Sequence, residues 1–154
     1  MTSLAVFVCT FGYIGYCPFA PGTVGSAAGV AVFLLLRWLH EPYAAAAAIA
    51  ALFVAGVWSG TVAERHFGRS DPAQGVIDEV VGMLITLYGV DVGWVGLGVA
   101  FVLFRLSDVI KPFPAGRFER LHGGLGMMAD DAMAAVYANV VLRLMVWGLP
   151  GLSA

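Results

Sequence analysis

The sequence predicts an all-α integral membrane bundle of about five short spans, with one polar functional region on its cytoplasmic side. Three observations support this. The chain is 60% hydrophobic and only 12% charged, with a mean hydropathy of +0.89, whereas soluble domains carry about 25% charge. A soluble fold of this size would have too little polar surface to cover itself. Of the eighteen charged side chains, fourteen lie in two short stretches, 64–79 and 105–131. The loop cations all fall where one membrane face can hold them. At 154 residues the chain suits a single domain, 1–154. The competing reading is a soluble helical protein whose apolar surface is covered in an oligomer. The sequence leaves open whether the membrane form is a monomer or a homo-oligomer.

Residues 1–12 are apolar but too short to span, so they lie on the interface or pack against the bundle. They have no Lys or Arg ahead of the apolar run and do not read as a cleaved signal peptide. GYCPFAPGTVGS, 15–26, is broken by proline and glycine, with Thr23 or Ser26 expected to cap the next helix. That helix is expected over 24–39, with Arg37 snorkelling and Trp38 at headgroup level. Glu41-Pro42 turns the chain into a second span, 43–63, whose alanines and glycines favour close helix contact. A polar link covers 64–75, and a short third helix starts near Asp78. The fourth helix is expected over 92–107, with Pro112 ending it by Lys111. After a long polar loop, the last helix is expected over 131–149. Several of these are at or below the ~20 residues a bilayer core requires.

Loop charges orient the bundle. Arg65 and Arg69 lie in one loop, and Arg105, Lys111, Arg117 and Arg120 in another. The positive-inside rule places both in the cytoplasm. Five crossings then bring the 15–26 loop to that side too, and send the turns at Glu41 and Asp91 outward.

The chemistry lies in the acids. Asp78-Glu79 and Asp130-Asp131 are expected at helix mouths, where capping and the helix dipole alone would explain them. Asp108 is unfavourably placed near a helix C-terminus. Five carboxylates on one surface of so charge-poor a chain repel each other, and a divalent cation relieves that. Oxygen ligands without a His or Cys cluster favour Mg²⁺ over zinc. Arg105 and Asp108 are i, i+3 neighbours, either as a plain salt bridge or with Arg105 and Lys111 holding phosphate oxygens. His122 could protonate a leaving group, and the Gly123 and Gly124 amides could form an anion nest. PGTVGS, leading into a helix, offers Thr23 and Ser26 at a second anion site. Cys9 and Cys17 have no metal or redox spacing. With a net charge of -2 and no basic face, nucleic acid is not an expected partner.

A carboxylate-lined ion or proton transporter is the rival class. Transporter sites favour broken helices at the bilayer midplane, whereas these acids are expected at helix ends. A structural membrane subunit gives no reason for clustered acids.

Four blocks carry a resemblance: YCPFAPGTVGS at 16–26, DEVVG at 78–82, FRLSDVIKPFP at 104–114 and HGGLGMMADD at 122–131. In order and spacing the chain resembles the bacterial phosphatidylglycerophosphatase A family. The resemblance implies a Mg²⁺-dependent lipid phosphatase that converts phosphatidylglycerophosphate to phosphatidylglycerol and phosphate. It implies a multi-pass protein of the bacterial inner (plasma) membrane. It carries catalytic and metal-binding roles onto Asp78, Glu79, Asp108, Asp130 and Asp131, and substrate binding onto Arg105 and Lys111. Cys17, Ser107 and Phe113 depart from the family's usual serine, bulkier apolar residue and tryptophan, but none removes a charged group. The general base stays open among Asp78, Glu79, Asp130 and Asp131, and the DxDx[TV] motif of one phosphoaspartate class is absent.

Overall fold

The computed structural model describes residues 2–41, 43–118 and 121–153, apart from the side chain of Pro150. Met1, Pro42 of the predicted turn, and Glu119 and Arg120 of the charged loop lie outside the described residues. The described chain is helical throughout: α1 (Thr2–Cys9), α2 (Pro21–Trp38), α3 (Ala44–Phe67), α4 (Ile77–Leu87), α5 (Trp94–Ile110), α6 (Ala115–Phe118) and α7 (Gly124–Gly148). Short 3-10 turns occupy Ile14–Tyr16 and Pro150–Leu152.

Three of these helices are long and apolar enough to cross a membrane: α2, α3 and α7. Little of α2 or α3 is buried in the protein, as expected where lipid is the solvent. Residues 1–12 form α1, which packs on α3 and buries Ala5, Val6 and Cys9.

The helix α4 is the hub. It has only 11 residues, about 16 Å of helix. Yet Val80, Val81, Met83, Leu84 and Leu87 are all buried, against α2, α3, α5 and α7. Such a short helix inside a bundle exposes its last carbonyls to an apolar surround, where an unmet polar group is costly. Asn139 of α7 meets that need, donating from Nδ2 to Thr86 O at 2.9 Å and Tyr88 O at 3.0 Å. Arg143 Nη2 donates to the same Tyr88 carbonyl at 2.7 Å, and its Nε to Asn139 Oδ1 at 2.8 Å.

Several predicted boundaries move. The first span begins at Pro21, where Ala20 is the N-cap in a left-handed conformation and proline takes the first helical position. Neither Thr23 nor Ser26 caps it: both lie inside the helix, and Ser26 Oγ donates back to Gly22 O at 2.9 Å. The second span runs on through Glu64, Arg65 and His66 to Phe67, and ends at Gly68 in the left-handed region that closes helices. Lys111, also left-handed, ends α5 as expected.

The largest shift is in α7, which starts at Gly124 and not at 131. The Gly124 amide donates to Thr61 Oγ1 of α3 at 2.9 Å, a cap from another helix that no local pattern announces. Asp130 and Asp131 therefore sit inside the helix, about 10 Å along its axis, and not at its mouth.

The termini of the helices sort the charges. Arg37 pairs with Asp91 at 3.1 Å and donates to Val92 O at 2.7 Å, so its head group is held at the exposed end of α2. Trp38, Tyr43, Trp94 and Trp147 are exposed near that end, as a membrane-interface belt requires. The α2, α4 and α7 N-termini and the α3 and α5 C-termini meet at the other end, with the acids.

Candidate active site

At that end a cavity of ≈ 310 Å³ opens between α2, the 68–76 loop, α4, α5 and α7. The helix N-terminus at Pro21, Gly22 and Thr23 forms one wall. Asp78 and Glu79 enter from the first turn of α4, where acids complement the helix dipole. Arg105, Asp108 and Lys111 come from the end of α5, and Asp131 from α7.

Asp78, Glu79 and Asp131 each bring a carboxylate oxygen to within 4.8 Å of the others. Asp78 and Asp131 are 6% and 4% exposed, so water does little to screen them. Asp78 Oδ1, Glu79 Oε2 and Asp131 Oδ2 are buried without a hydrogen-bond partner. Buried polar atoms are rarely left so. Three carboxylates that approach one another this closely, each with an orphaned oxygen and with no His or Cys among them, fit a hard divalent cation such as Mg²⁺ or Ca²⁺.

The cations are engaged beside this trio. Arg105 Nη1 lies 2.9 Å from Asp108 Oδ2 and 3.8 Å from Glu79 Oε1. The i, i+3 pair expected from spacing is therefore present. Lys111 Nζ lies 2.6 Å from Asp130 Oδ2, and Asp130 Oδ1 accepts the Asp131 amide at 3.0 Å. Successive helical residues point about 100° apart. Asp131 thus faces Asp78 and Glu79 while its neighbour Asp130 holds Lys111.

Other expected residues separate. Thr23 lines the cavity, but Ser26 is buried one turn further on with its hydroxyl bound to Gly22 O. His122, Gly123 and Gly124 do not line it among the described residues. His122 is exposed, and the two glycines pack on Thr61, which takes the Gly124 amide proposed for an anion.

Asp71, within the polar link at 64–75 and not among the expected site residues, lines the cavity. It is exposed and left-handed (φ 45), and its amide donates to Glu64 Oε1 at 3.3 Å. A non-glycine residue held in that region often marks a functional site. The available signal was the charge itself, an acid beside a proline in a loop close before Asp78-Glu79.

A larger recess of ≈ 530 Å³ lies at the opposite end, by Arg37 and Asp91. Those two charges pair with each other and Glu41 is the one further charged residue on its wall, so no cluster of acids and cations like that of the first cavity lines it. Neither cysteine enters the acidic cavity wall. Burial, with nearby Asp71 and Glu79 adding repulsion, pushes the Cys9 thiol up to about 12, which keeps it from acting as a thiolate.

Comparison with known proteins identifies the family. The family model described as Phosphatidylglycerophosphatase A matches residues 7–146. A Phosphatidylglycerophosphatase A of Haemophilus influenzae is 37% identical over 125 residues, covering 80% of this chain and 77% of the relative. That of Escherichia coli K12 is 36% identical over 133 residues, covering 83% and 75%. A Bacteroides thetaiotaomicron protein, provisionally named a phosphatidylinositol-3-phosphatase, is 35% identical over 140 residues, covering 86% and 87%. No solved structure gives a significant match. The match runs from α1 almost to the end of α7 and takes in every cavity-lining residue, so the chain belongs to the phosphatidylglycerophosphatase A family.

Proposed function

We propose that this chain is a membrane lipid phosphatase that hydrolyses phosphatidylglycerophosphate to phosphatidylglycerol and phosphate, with Mg²⁺ held by Asp78, Glu79 and Asp131. The observation that carries the proposal is the union of three orphaned buried carboxylates with two cationic side chains in one cavity, at the end of an apolar bundle. When bound, the divalent cation supplies positive charge against the phosphoryl oxygens and lowers the pKa of water. The chain's own groups do the rest. Arg105 and Lys111 donate to the phosphate oxygens and stabilise the charge that grows on them. Asp108 holds Arg105, and Asp130 holds Lys111, so each cation is aimed before substrate arrives. The α2 N-terminus and Thr23 add polar groups to the same wall.

The apolar helices below the cavity suit acyl chains, which keep the phosphate in the headgroup layer. Five crossings, by α2, α3, α4, α5 and α7, with the cavity at the cytoplasmic face of a bacterial inner membrane, agree with the loop cations. The rival transporter reading has no observation in its favour.

The Bacteroides relative's printed name favours a second reading of the headgroup, a 3-phosphorylated inositol. Phosphate release from purified protein in detergent micelles separates the readings. Phosphatidylglycerophosphate, phosphatidylinositol 3-phosphate, phosphatidic acid and glycerol 3-phosphate are compared, with and without Mg²⁺. Phosphatidylglycerophosphate should give the highest kcat/KM, and chelation should abolish turnover. Preference for the inositol lipid would move the headgroup assignment and keep the chemistry. Equal kcat/KM for glycerol 3-phosphate would show that the apolar wall plays no part in recognition.

A further inference from the structure

Gly22 is set apart from the other glycines of α2 by what its missing side chain faces. Gly25 and Gly29 let α2 lie close on α4. A Cβ on Gly25 would meet Val76 Cβ at 2.8 Å, and one on Gly29 would meet Met83 Cβ at 2.7 Å and Val80 O at 2.9 Å. Those contacts are packing. A Cβ on Gly22 would run into Glu79 Oε1 and stand 3.2 Å from Arg105 Nη1. The obstructed atoms are the same two that form the Glu79–Arg105 ion pair.

We infer that Gly22 is a positioning residue of the active site: its bare Cα is the wall against which the Glu79 carboxylate is set between Arg105 and the other two acids, Asp78 and Asp131. The inference rests on the reading of Asp78, Glu79 and Asp131 as the cation site.

The local sequence builds this wall rigidly. Pro21 occupies the first helical position, and the Thr23 and Val24 amides both donate to Ala20 O, at 2.9 and 3.2 Å. The Ser26 hydroxyl, fully buried, holds the Gly22 carbonyl from the next turn. The backbone at Gly22 therefore cannot retreat cheaply from an added methyl group. Glu79 is the mobile partner. One of its oxygens is the obstructed atom and the other is the orphan among the trio, so moving the carboxylate disturbs both the cation site and the Arg105 contact. Ser26, expected from the sequence to touch substrate, acts in this arrangement through Gly22.

The test compares Gly22→Ala, Gly29→Ala and Gly98→Ala in the full chain in detergent micelles. Gly98 has nothing within 4 Å of an added Cβ and serves as the neutral control. Each variant is assayed for phosphate release across a Mg²⁺ titration. Separately, its thermal unfolding is followed as Mg²⁺ is added, which reads the site without turnover. Gly22→Ala should lower kcat on the order of 10- to 100-fold, as small misplacements of catalytic groups do. It should also raise the Mg²⁺ concentration needed for half-maximal thermal stabilisation. Gly29→Ala should lower the unfolding temperature and leave that Mg²⁺ midpoint in place.

A double-mutant cycle with Glu79→Asp supplies a second measure. Shortening the side chain relieves the clash, so Gly22→Ala should cost less in that background than in the wild type. Independent effects of the two substitutions, or a Gly22→Ala variant with wild-type kcat and Mg²⁺ midpoint, would overturn the inference. If the wild type releases no phosphate from lipids but Gly22→Ala still shifts the Mg²⁺ midpoint, the lipid phosphatase reading fails and the role of Gly22 stands.

Discussion

Asp108 illustrates how one side chain can serve two descriptions. Its 2.9 Å contact makes it a salt-bridge partner of Arg105, and the same contact lines the cavity. If the pair were merely structural, neutralising the acid would cost little turnover. If Asp108 aims Arg105 at phosphate, Asp108→Asn should lower kcat on the order of 10²-fold while the protein still folds. Near-normal turnover at low Mg²⁺ would reduce Asp108 to a structural partner. Asp71 makes the opposite case, since an exposed loop acid is usually dispensable. Its place in the cavity wall predicts that Asp71→Asn lowers phosphate release at least tenfold without lowering the unfolding temperature. Wild-type turnover in that variant would remove Asp71 from the site. The cysteines should matter least: the Cys9/Cys17 double alanine variant is expected to keep substantial turnover, because the Cys9 thiol is raised to about 12 and neither thiol is needed by the carboxylate chemistry. Loss of activity in a folded double variant would reopen a thiol mechanism.

Among the elements, α4 carries the most consequence for its length. It places Asp78 and Glu79 at one end, and at the other it stops short inside the bundle. Asn139 and Arg143 supply the donors that let it stop there. Asn139→Leu would remove one donor from the carbonyls of residues 85, 86 and 88. Ile85 O keeps the Tyr88 amide and Tyr88 O keeps Arg143, so the Thr86 carbonyl is the one left short. The substitution should destabilise the protein by about 1–3 kcal/mol, the usual cost of a buried polar group left unmet. Thermal unfolding in detergent checks this, and an unchanged unfolding temperature would show that water reaches the end of α4. Part of this element was legible. The acids at its N-terminus and its shortness follow from the sequence. Its terminal partners on α7 are more than fifty residues away, and no local pattern links them.

At the scale of the whole molecule, the bundle is polarised. One end carries the acid cavity with Arg105 and Lys111, and the other the Arg37–Asp91 pair with exposed tryptophans. The proposed orientation, with the acid cavity at the cytoplasmic face, can be tested chemically. In a Cys9/Cys17-free background, single cysteines replacing Ala73 and His122 should react with an impermeant thiol reagent only from the cytoplasmic side. One replacing His40, exposed near Arg37, should react only from outside. Labelling of Ala73 and His122 positions from opposite faces would dismantle the shared-site arrangement, because the 68–76 loop and the start of α7 would no longer share an end.

By itself the sequence determined the class of molecule and most of the charged residues that line one cavity. Composition is enough for the first, since 60% hydrophobic residues with 12% charge leave lipid as the natural solvent. Charge clustering and motif order are enough for the second, because Asp78, Glu79, Arg105, Asp108, Lys111 and Asp131 all reach one cavity. Only the tertiary structure decided how the acids divide. The cap from Thr61 starts α7 early and carries Asp130 and Asp131 into the helix, where their side chains diverge. Asp131 then joins Asp78 and Glu79, and Asp130 takes Lys111. The same long-range contact removes Gly124 from anion binding, and the chain's path from Gly68 to Val76 brings Asp71 in. A sequence records which groups are available. Their partners are chosen by helix phase and by hydrogen bonds between segments far apart in the chain, and those exist only once the bundle has closed.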